Sequence, residues 1–234
     1  MIAFHGTFSS SDLEATLGGL PRGSFFVQVG AMDGLAHDPV HKFVKEKAWR
    51  GLLIEPMPDM FARLQKNYEG CKGLTFINKA VTDFEGQIEM TRIDPAVAQQ
   101  QNLPDWTQGI STLMPDRGML GGATQNRDVD FETKLKPFRQ KIDVPCARLT
   151  TLLDQYKVSN IDCLIIDTEG ADWMVARQLP LDRIRPRVVY LEYLHLSAYE
   201  KTACASHFTN HGYRVYLEHP TQENFLAIRS GEAA

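Results

Sequence analysis

The sequence predicts an α/β fold: a mostly parallel sheet with helices on both faces. Two observations carry this. Short apolar runs of strand length alternate with segments whose apolar residues recur at helical spacing, between residues 25 and 78 and again between 148 and 192. The runs are apolar at nearly every position, the pattern of strands buried on both faces. A third observation completes the sheet. Two runs flanking His219-Pro220 read as a terminal hairpin that adds an antiparallel C-terminal edge.

In chain order, Ser10 to Leu17 reads as a helix capped by Ser10 or Ser11 and ended by Gly18, Gly19 and Pro21. Phe25 to Val29 is a strand stopped by Gly30. Pro39 to Ala48 places Val40, Phe43, Val44 and Ala48 at helical spacing, with Asp38 as cap and Pro39 in the first turn. Gly51 to Glu55 is a strand closed by Pro56 and Pro58. Asp59 to Tyr68 is a helix with Met60, Phe61, Leu64 and Tyr68 on one face, and Leu74 to Asn78 is a third strand. The rhythm then breaks. Gln87 to Arg92 and Lys141 to Cys146 alternate like strands, and the polar, Gln-rich stretch from 94 to 130 between them reads as a lid-like insertion over the functional face. The alternation resumes with a helix at Arg148 to Tyr156, a strand at Ile161 to Asp167, a helix at Ala171 to Leu179 and a strand at Val188 to Glu192. A helix at Tyr199 to His211, closed by Gly212, precedes the hairpin strands Tyr213 to Leu217 and Asn224 to Ile228.

Composition narrows the class. With 234 residues, 43% hydrophobic and 23% charged, the chain reads as one globular domain over 1–234. Against 29 Asp+Glu stand 25 Lys+Arg, a net −4, so nucleic acid is not an expected partner. No apolar stretch reaches about 18 residues, so no membrane span is expected. Cys71, Cys146, Cys163 and Cys204 form no CxxC pair, which argues against a zinc ribbon or a disulfide framework. The N-terminus lacks a basic and then apolar leader, so a cytoplasmic location is expected.

Open α/β sheets bind ligands at the carboxyl ends of their strands. The residues there are Gly30-Ala31-Met32-Asp33-Gly34, Glu55-Pro56, Asn78-Lys79-Ala80-Val81, Asp167-Thr168-Glu169-Gly170, and Glu192 with His195. Gly30 and Gly34 allow a tight turn and close backbone approach. Glu55, 25 residues after Gly30, is placed to accept both hydroxyls of a ribose. The third glycine of a dinucleotide fingerprint is missing. Asp33 and Asp38 would repel a pyrophosphate and suit a cationic ligand such as a sulfonium, which favours S-adenosylmethionine over NAD.

The stretch FFVQVGAMDGLAHDPVHKFVKEKAWRGLLIEPMPDMFARLQKNY resembles the first half of the FkbM-type methyltransferases. FINKAVTDFEGQIEM, GISTL, VPCARLTTLLDQY, IDCLIIDTEGADWMVARQL and VVYLEYL follow in that family's order, so the resemblance runs from about residue 24 to 230. It implies a Rossmann-like class I methyltransferase fold with a seven-stranded sheet. It also implies S-adenosylmethionine-dependent O-methylation of a hydroxyl on a sugar or small-molecule natural product. Carried over residue by residue, Gly30, Asp33 and Gly34, with Ala31 in the same turn, lie along the methionine part and the ribose. Glu55 holds the ribose hydroxyls, Pro56 lies beside the adenine, and Ala80 and Val81 line its pocket. Asp167, followed by Thr168 and Glu169, sits where the methyl group is transferred, and Ser111 and Thr112 come near the cofactor pocket. Gln28 stands where the family usually has an acid, which removes a charge from the sulfonium side.

A sugar hydroxyl is a poor nucleophile at neutral pH, so a general base or a metal is expected. Base candidates are Asp167, Glu169, His195 and His37. Asp167, Glu169, Glu192 and His195 could also hold a divalent cation. Each has a plainer reading: Asp167 or Glu169 as helix-terminus residues, the histidines as structural or exposed ones. Trp49 and Trp173 read as core, while Trp106 in the insertion reads equally as a sugar-stacking ring or as ordinary packing. Two other functions fit the sheet. Against a nucleotide-dependent oxidoreductase count the missing third glycine and the expected lack of a Tyr-x-x-x-Lys pair. A non-catalytic nucleoside-binding protein is hinted at only by Gln28.

Overall fold

The computed structural model describes residues 4–104, 107, 111–114 and 135–231. In chain order the elements are β1 (Gly6–Phe8), α1 (Ser10–Gly18), β2 (Phe25–Val29), α2 (His41–Lys47), β3 (Arg50–Ile54), α3 (Pro58–Asn67), β4 (Leu74–Ile77), β5 (Ala80–Val81), β6 (Gly86–Ile93) and α4 (Pro95–Gln100). They continue with β7 (Ser111–Thr112), β8 (Arg139–Ala147), α5 (Leu149–Gln155), β9 (Cys163–Ile166), α6 (Asp172–Ala176), β10 (Val188–Glu192), α7 (Ala198–Asn210), β11 (Tyr213–Glu218) and β12 (Asn224–Arg229).

The main sheet has eight strands in the order β1-β11-β12-β10-β9-β2-β3-β4. All are parallel except β12, which runs antiparallel to both β10 and β11. Two expectations are corrected here. The strand count is eight rather than seven, because Gly6–Phe8 pairs with Tyr216 to Glu218. The antiparallel strand is also not the edge: β12 is inserted between β10 and β11, and β1 covers the outer side of β11.

Alternation along the strands sends side chains to two cores. Val27, Val29, Leu52, Ile54, Leu164 and Ile166 face α5, α6 and α7 through Leu152, Val175 and Phe208. Phe26, Leu53, Cys163 and Ile165 face α1, α2 and α3 through Leu17, Phe43 and Leu64. Covering both faces leaves little room for polar side chains in the strands, which is why these runs read as apolar throughout. Gln28 is a buried exception, on the same face as Phe26 and 4% exposed.

Ser9, not Ser10 or Ser11, caps α1: its hydroxyl accepts from the Asp12 N–H while Asp12 accepts from the Ser9 N–H, a capping box. Asp38 does serve α2, accepting from the N–H groups of Val40 and His41.

A second sheet, ordered β5-β8-β6-β7, rises from the region between β4 and α5. Its β6–β8 ladder pairs Gly86 with Cys146 and Ile93 with Arg139. Met90, Val144, Cys146 and Ala80 from this sheet pack on Met57 and Met60 at the start of α3. The expected insertion therefore leaves from this ladder. It begins with α4, which Asp94 caps through the Ala96 N–H, and returns β7 to the sheet. Trp106, Gly109 and most of the remainder of 94–130 lie outside the described residues.

Candidate active site

The strand order turns back on itself at β2. The chain proceeds from β2 to β3 to β4 on one side, then returns to place β9 and β10 on the other. The loops leaving β2 and β9 consequently diverge, and a ligand crevice is expected there. The structure has a cavity of about 680 Å³ at that point.

Gly30 makes the junction. Its φ is +82°, and a Cβ placed on it would lie 1.7 Å from the Asp167 carbonyl oxygen. No other residue lets the two loops come this close. The Gly30 and Ala31 N–H groups both donate to the Ile54 carbonyl, at 2.9 and 3.0 Å, and the Asp167 N–H donates to the Val29 carbonyl at 2.9 Å. Three strand ends are thereby fixed to one another.

Glu55 leaves β3 beside this junction and is 4% exposed. One carboxylate oxygen accepts from the Met32 N–H at 2.9 Å and the other from the Met57 N–H at 2.8 Å. Met32 has a left-handed backbone, φ +47°, which belongs to the same turn. Burial pushes the Glu55 carboxyl up to about 7, although both N–H groups and the nearby Arg92 pull it down. Arg92 is itself buried in the second sheet and forks onto Asp59, at 2.5 and 2.8 Å. Pro56, Ala80, Val81 and Met90 supply apolar wall next to Glu55.

The other end of the cavity is acidic. Asp167, Glu169, Glu192 and His195 line it, with Thr168 between the first two. His195 Nε2 lies 3.3 Å from a carboxylate oxygen of Glu169 and 3.3 Å from one of Glu192. Burial alone would favour the neutral ring, but these two acids outweigh it and raise the His195 pKa to about 10. Burial, then Glu192, Glu169 and Asp172, hold the Asp167 carboxyl well above the usual range. Asp172 organises the β9 loop. Its two oxygens accept from the Thr168 N–H at 3.0 Å and the Gly170 N–H at 3.1 Å. Glu169 has φ +53°, and the Thr112 hydroxyl donates to its carbonyl at 2.7 Å. The second sheet thus ties down the β9 loop.

Most of the expected residues meet here. Gln28, Gly30, Ala31, Glu55, Pro56, Ala80, Val81, Asp167, Glu169 and His195 line the cavity, as do His37 and Ser111. Asp33 and Gly34 do not line it. The Asp33 carboxylate turns onto its own loop and accepts from the Leu35 and Ala36 N–H groups. Gly34 serves packing, since a Cβ there would meet Leu64 at 2.4 Å and Tyr68 at 2.5 Å. Asp38 is likewise spent on α2 and the Tyr68 hydroxyl. Asp33 therefore does not face a ligand as expected, whereas Asp38 does line the cavity, with its carboxylate engaged by these bonds, alongside Glu55 and the acids of β9 and β10. Tyr68 and Lys72 have the spacing of an oxidoreductase pair, but the Tyr68 hydroxyl is engaged by Asp38 and neither residue lines the cavity. Held between two acids that raise its pKa, His195 is weakened as a base and suited to donate a hydrogen bond while the cluster is empty.

Sequence reasoning assigned no role to Met32, Met57, Asp172 and Arg92. Met32 and Met57 act through backbone N–H groups, which leave no signature in side-chain type. Asp172 reads as an ordinary first-turn helix acid, and its position two residues after Gly170 was the available signal.

No curated protein matches this chain. Among solved structures, the fold resembles a methyltransferase FkbM from Methylobacillus flagellatus KT at 14% identity and a TM-score of 0.52. That match covers 95% of this chain and 48% of the other, so the chain spans about half of that protein's length. Looser likenesses include a precorrin-6y C5,15-methyltransferase from Geobacter metallireducens (12% identity, TM-score 0.45, covering 94% and 87%) and an rRNA methylase from Streptococcus thermophilus (12%, 0.45, covering 93% and 91%). The model of the methyltransferase FkbM domain matches residues 28–219, the segment that contains the β2–β9 junction, Glu55 and the acidic end. The chain belongs to the FkbM methyltransferase domain family.

Proposed function

We propose that the chain is an S-adenosylmethionine-dependent methyltransferase acting on a hydroxyl oxygen of a small molecule or glycan. The observation that carries this reading is Glu55: a buried carboxylate at the end of β3, beside a glycine junction, facing a cavity large enough for a nucleoside. A carboxylate buried this deeply with only two backbone donors has acceptor capacity to spare, and a ribose diol supplies the missing donors. The apolar surface of Pro56, Ala80, Val81 and Met90 suits a flat base, and the acids of β9 and β10 suit a cationic group at the far end. Gln28 adds a buried Oε1 that has no hydrogen-bond partner among the described residues.

When bound, the cofactor supplies an electrophilic methyl group on a sulfonium. The chain's own work is to align the acceptor oxygen and take one proton. Asp167 suits the second task. It ends a buried strand, its backbone is fixed to Val29, and its raised pKa brings a carboxylate toward the operating range of a base. Asp167→Asn is expected to lower kcat far more than it weakens cofactor binding, measured by turnover and by calorimetry on the same preparation. Full activity would remove Asp167 from the chemistry. Incubation with methyl-labelled S-adenosylmethionine and a panel of hydroxylated sugars and phenols tests the acceptor class. Label on oxygen is expected, and label only on nitrogen or carbon acceptors would contradict it.

A further inference from the structure

We propose that Glu169, Glu192 and His195 form a binding site for one divalent cation of borderline character, such as Mn²⁺. This rests on the methyltransferase reading only for its purpose: such an ion would bind the acceptor oxygen beside Asp167 and lower its pKa, so that Asp167 takes the proton. The donor atoms of the three side chains all lie within 4.8 Å of one another. Nε2 of His195 is 3.3 Å from each carboxylate. Charge-assisted N–H···O contacts are ordinarily about 2.7–2.9 Å, so one imidazole N–H shared between the two acids is long on both sides. Adjacent ligand atoms about 2.1 Å from a common ion sit about 3 Å apart, close to the two His195–carboxylate spacings.

The burial points the same way. His195 is 5% exposed, with Nε2 aimed into the gap between the two acids, and its Nδ1 has no hydrogen-bond partner among the described residues. A histidine kept there for packing alone would have both nitrogens satisfied. Asp172 adds a further buried carboxyl beside the cluster, and Asp167 another in the same cavity. Two carboxylates with one neutral imidazole match a divalent ion in charge, and the mixed oxygen and nitrogen set favours Mn²⁺ over Ca²⁺. The ligands are also held in place. Thr112 fixes the Glu169 carbonyl, and the Tyr193 and Leu194 N–H groups both donate to the Glu223 carbonyl, at 2.7 and 3.0 Å. Three protein ligands leave coordination positions open to substrate and solvent.

The test is titration of the full chain with MnCl2, followed by electron paramagnetic resonance of free Mn²⁺, with CaCl2 as control and with S-adenosylhomocysteine affinity measured in parallel. One Mn²⁺ per chain is expected, bound more tightly than Ca²⁺. His195→Ala and Glu192→Gln should each weaken it roughly tenfold or more. Glu192→Gln, nearly isosteric, carries the test if His195→Ala does not fold. No stoichiometric Mn²⁺ site in the wild type, or equal binding by the folded variants, would overturn the proposal. Mn²⁺ binding without S-adenosylhomocysteine binding would leave the ion site standing and sink the methyltransferase reading.

Discussion

Glu55 concentrates the electrostatics of its end of the cavity in one side chain. Its folded pKa of about 7 lies above the 4.5 of an exposed glutamate. The folded protein therefore holds this proton more tightly than the unfolded chain does. The associated stability is intact below pH 4.5 and is lost as pH rises through 7, a penalty of about 3 kcal/mol once the carboxylate is fully ionised. In urea denaturation, the stability of Glu55→Gln relative to wild type should improve steadily from pH 5 to 7.5. A difference independent of pH would mean that Glu55 ionises as freely as a surface acid. In binding, Glu55→Ala should weaken S-adenosylhomocysteine by about 1–3 kcal/mol in calorimetry, through loss of a charged hydrogen-bond acceptor. Unchanged affinity would exclude Glu55 from the site. The residue was legible in the sequence because a lone acid after an apolar strand and before Pro56 is conspicuous. The orientation of Asp33 was not: an acid in a glycine turn can face a ligand or its own loop, and only the fold decides that.

At the scale of elements, the site depends on how two loops are kept in register. Gly30→Ala would drive a Cβ into the Asp167 carbonyl and impose a positive φ on alanine. A loss of roughly 2–4 kcal/mol in urea unfolding is expected, and wild-type stability would show that the β2 and β9 loops do not touch in solution. Asp172→Ala should leave the Thr168 and Gly170 N–H groups unpaired, at about 1–3 kcal/mol each. Asp172→Asn should recover part of that, because one oxygen still accepts. If the two variants unfold alike, the loop is held by something other than these bonds. Most elements could be read from periodicity to within a residue or two. The exceptions, α4 and β7 in the insertion and the early end of α6 at Ala176 apart, were short and non-local. β1 is three residues long and pairs with a strand some two hundred positions away, and β5 is a two-residue strand that pairs with β8. Neither is long enough to show a period.

For the whole molecule, the alternating pattern revealed a parallel sheet but not its order. That β12 is inserted between β10 and β11 follows from which edges are left open to pair, a competition no local pattern records. The second sheet was equally hidden, since its strands read as two isolated alternating runs, yet it supplies Met90 and Ser111 to the cavity and Thr112 to the β9 loop. The consequence is one cavity with the buried Glu55 carboxylate at one end and an acidic cluster at the other. Titration calorimetry of the full chain with S-adenosylmethionine and S-adenosylhomocysteine, with NAD as control, tests that arrangement most directly. Micromolar binding of both sulfur compounds and none of NAD is the expected result. Binding of NAD with equal strength, or of none of the three, would contradict it.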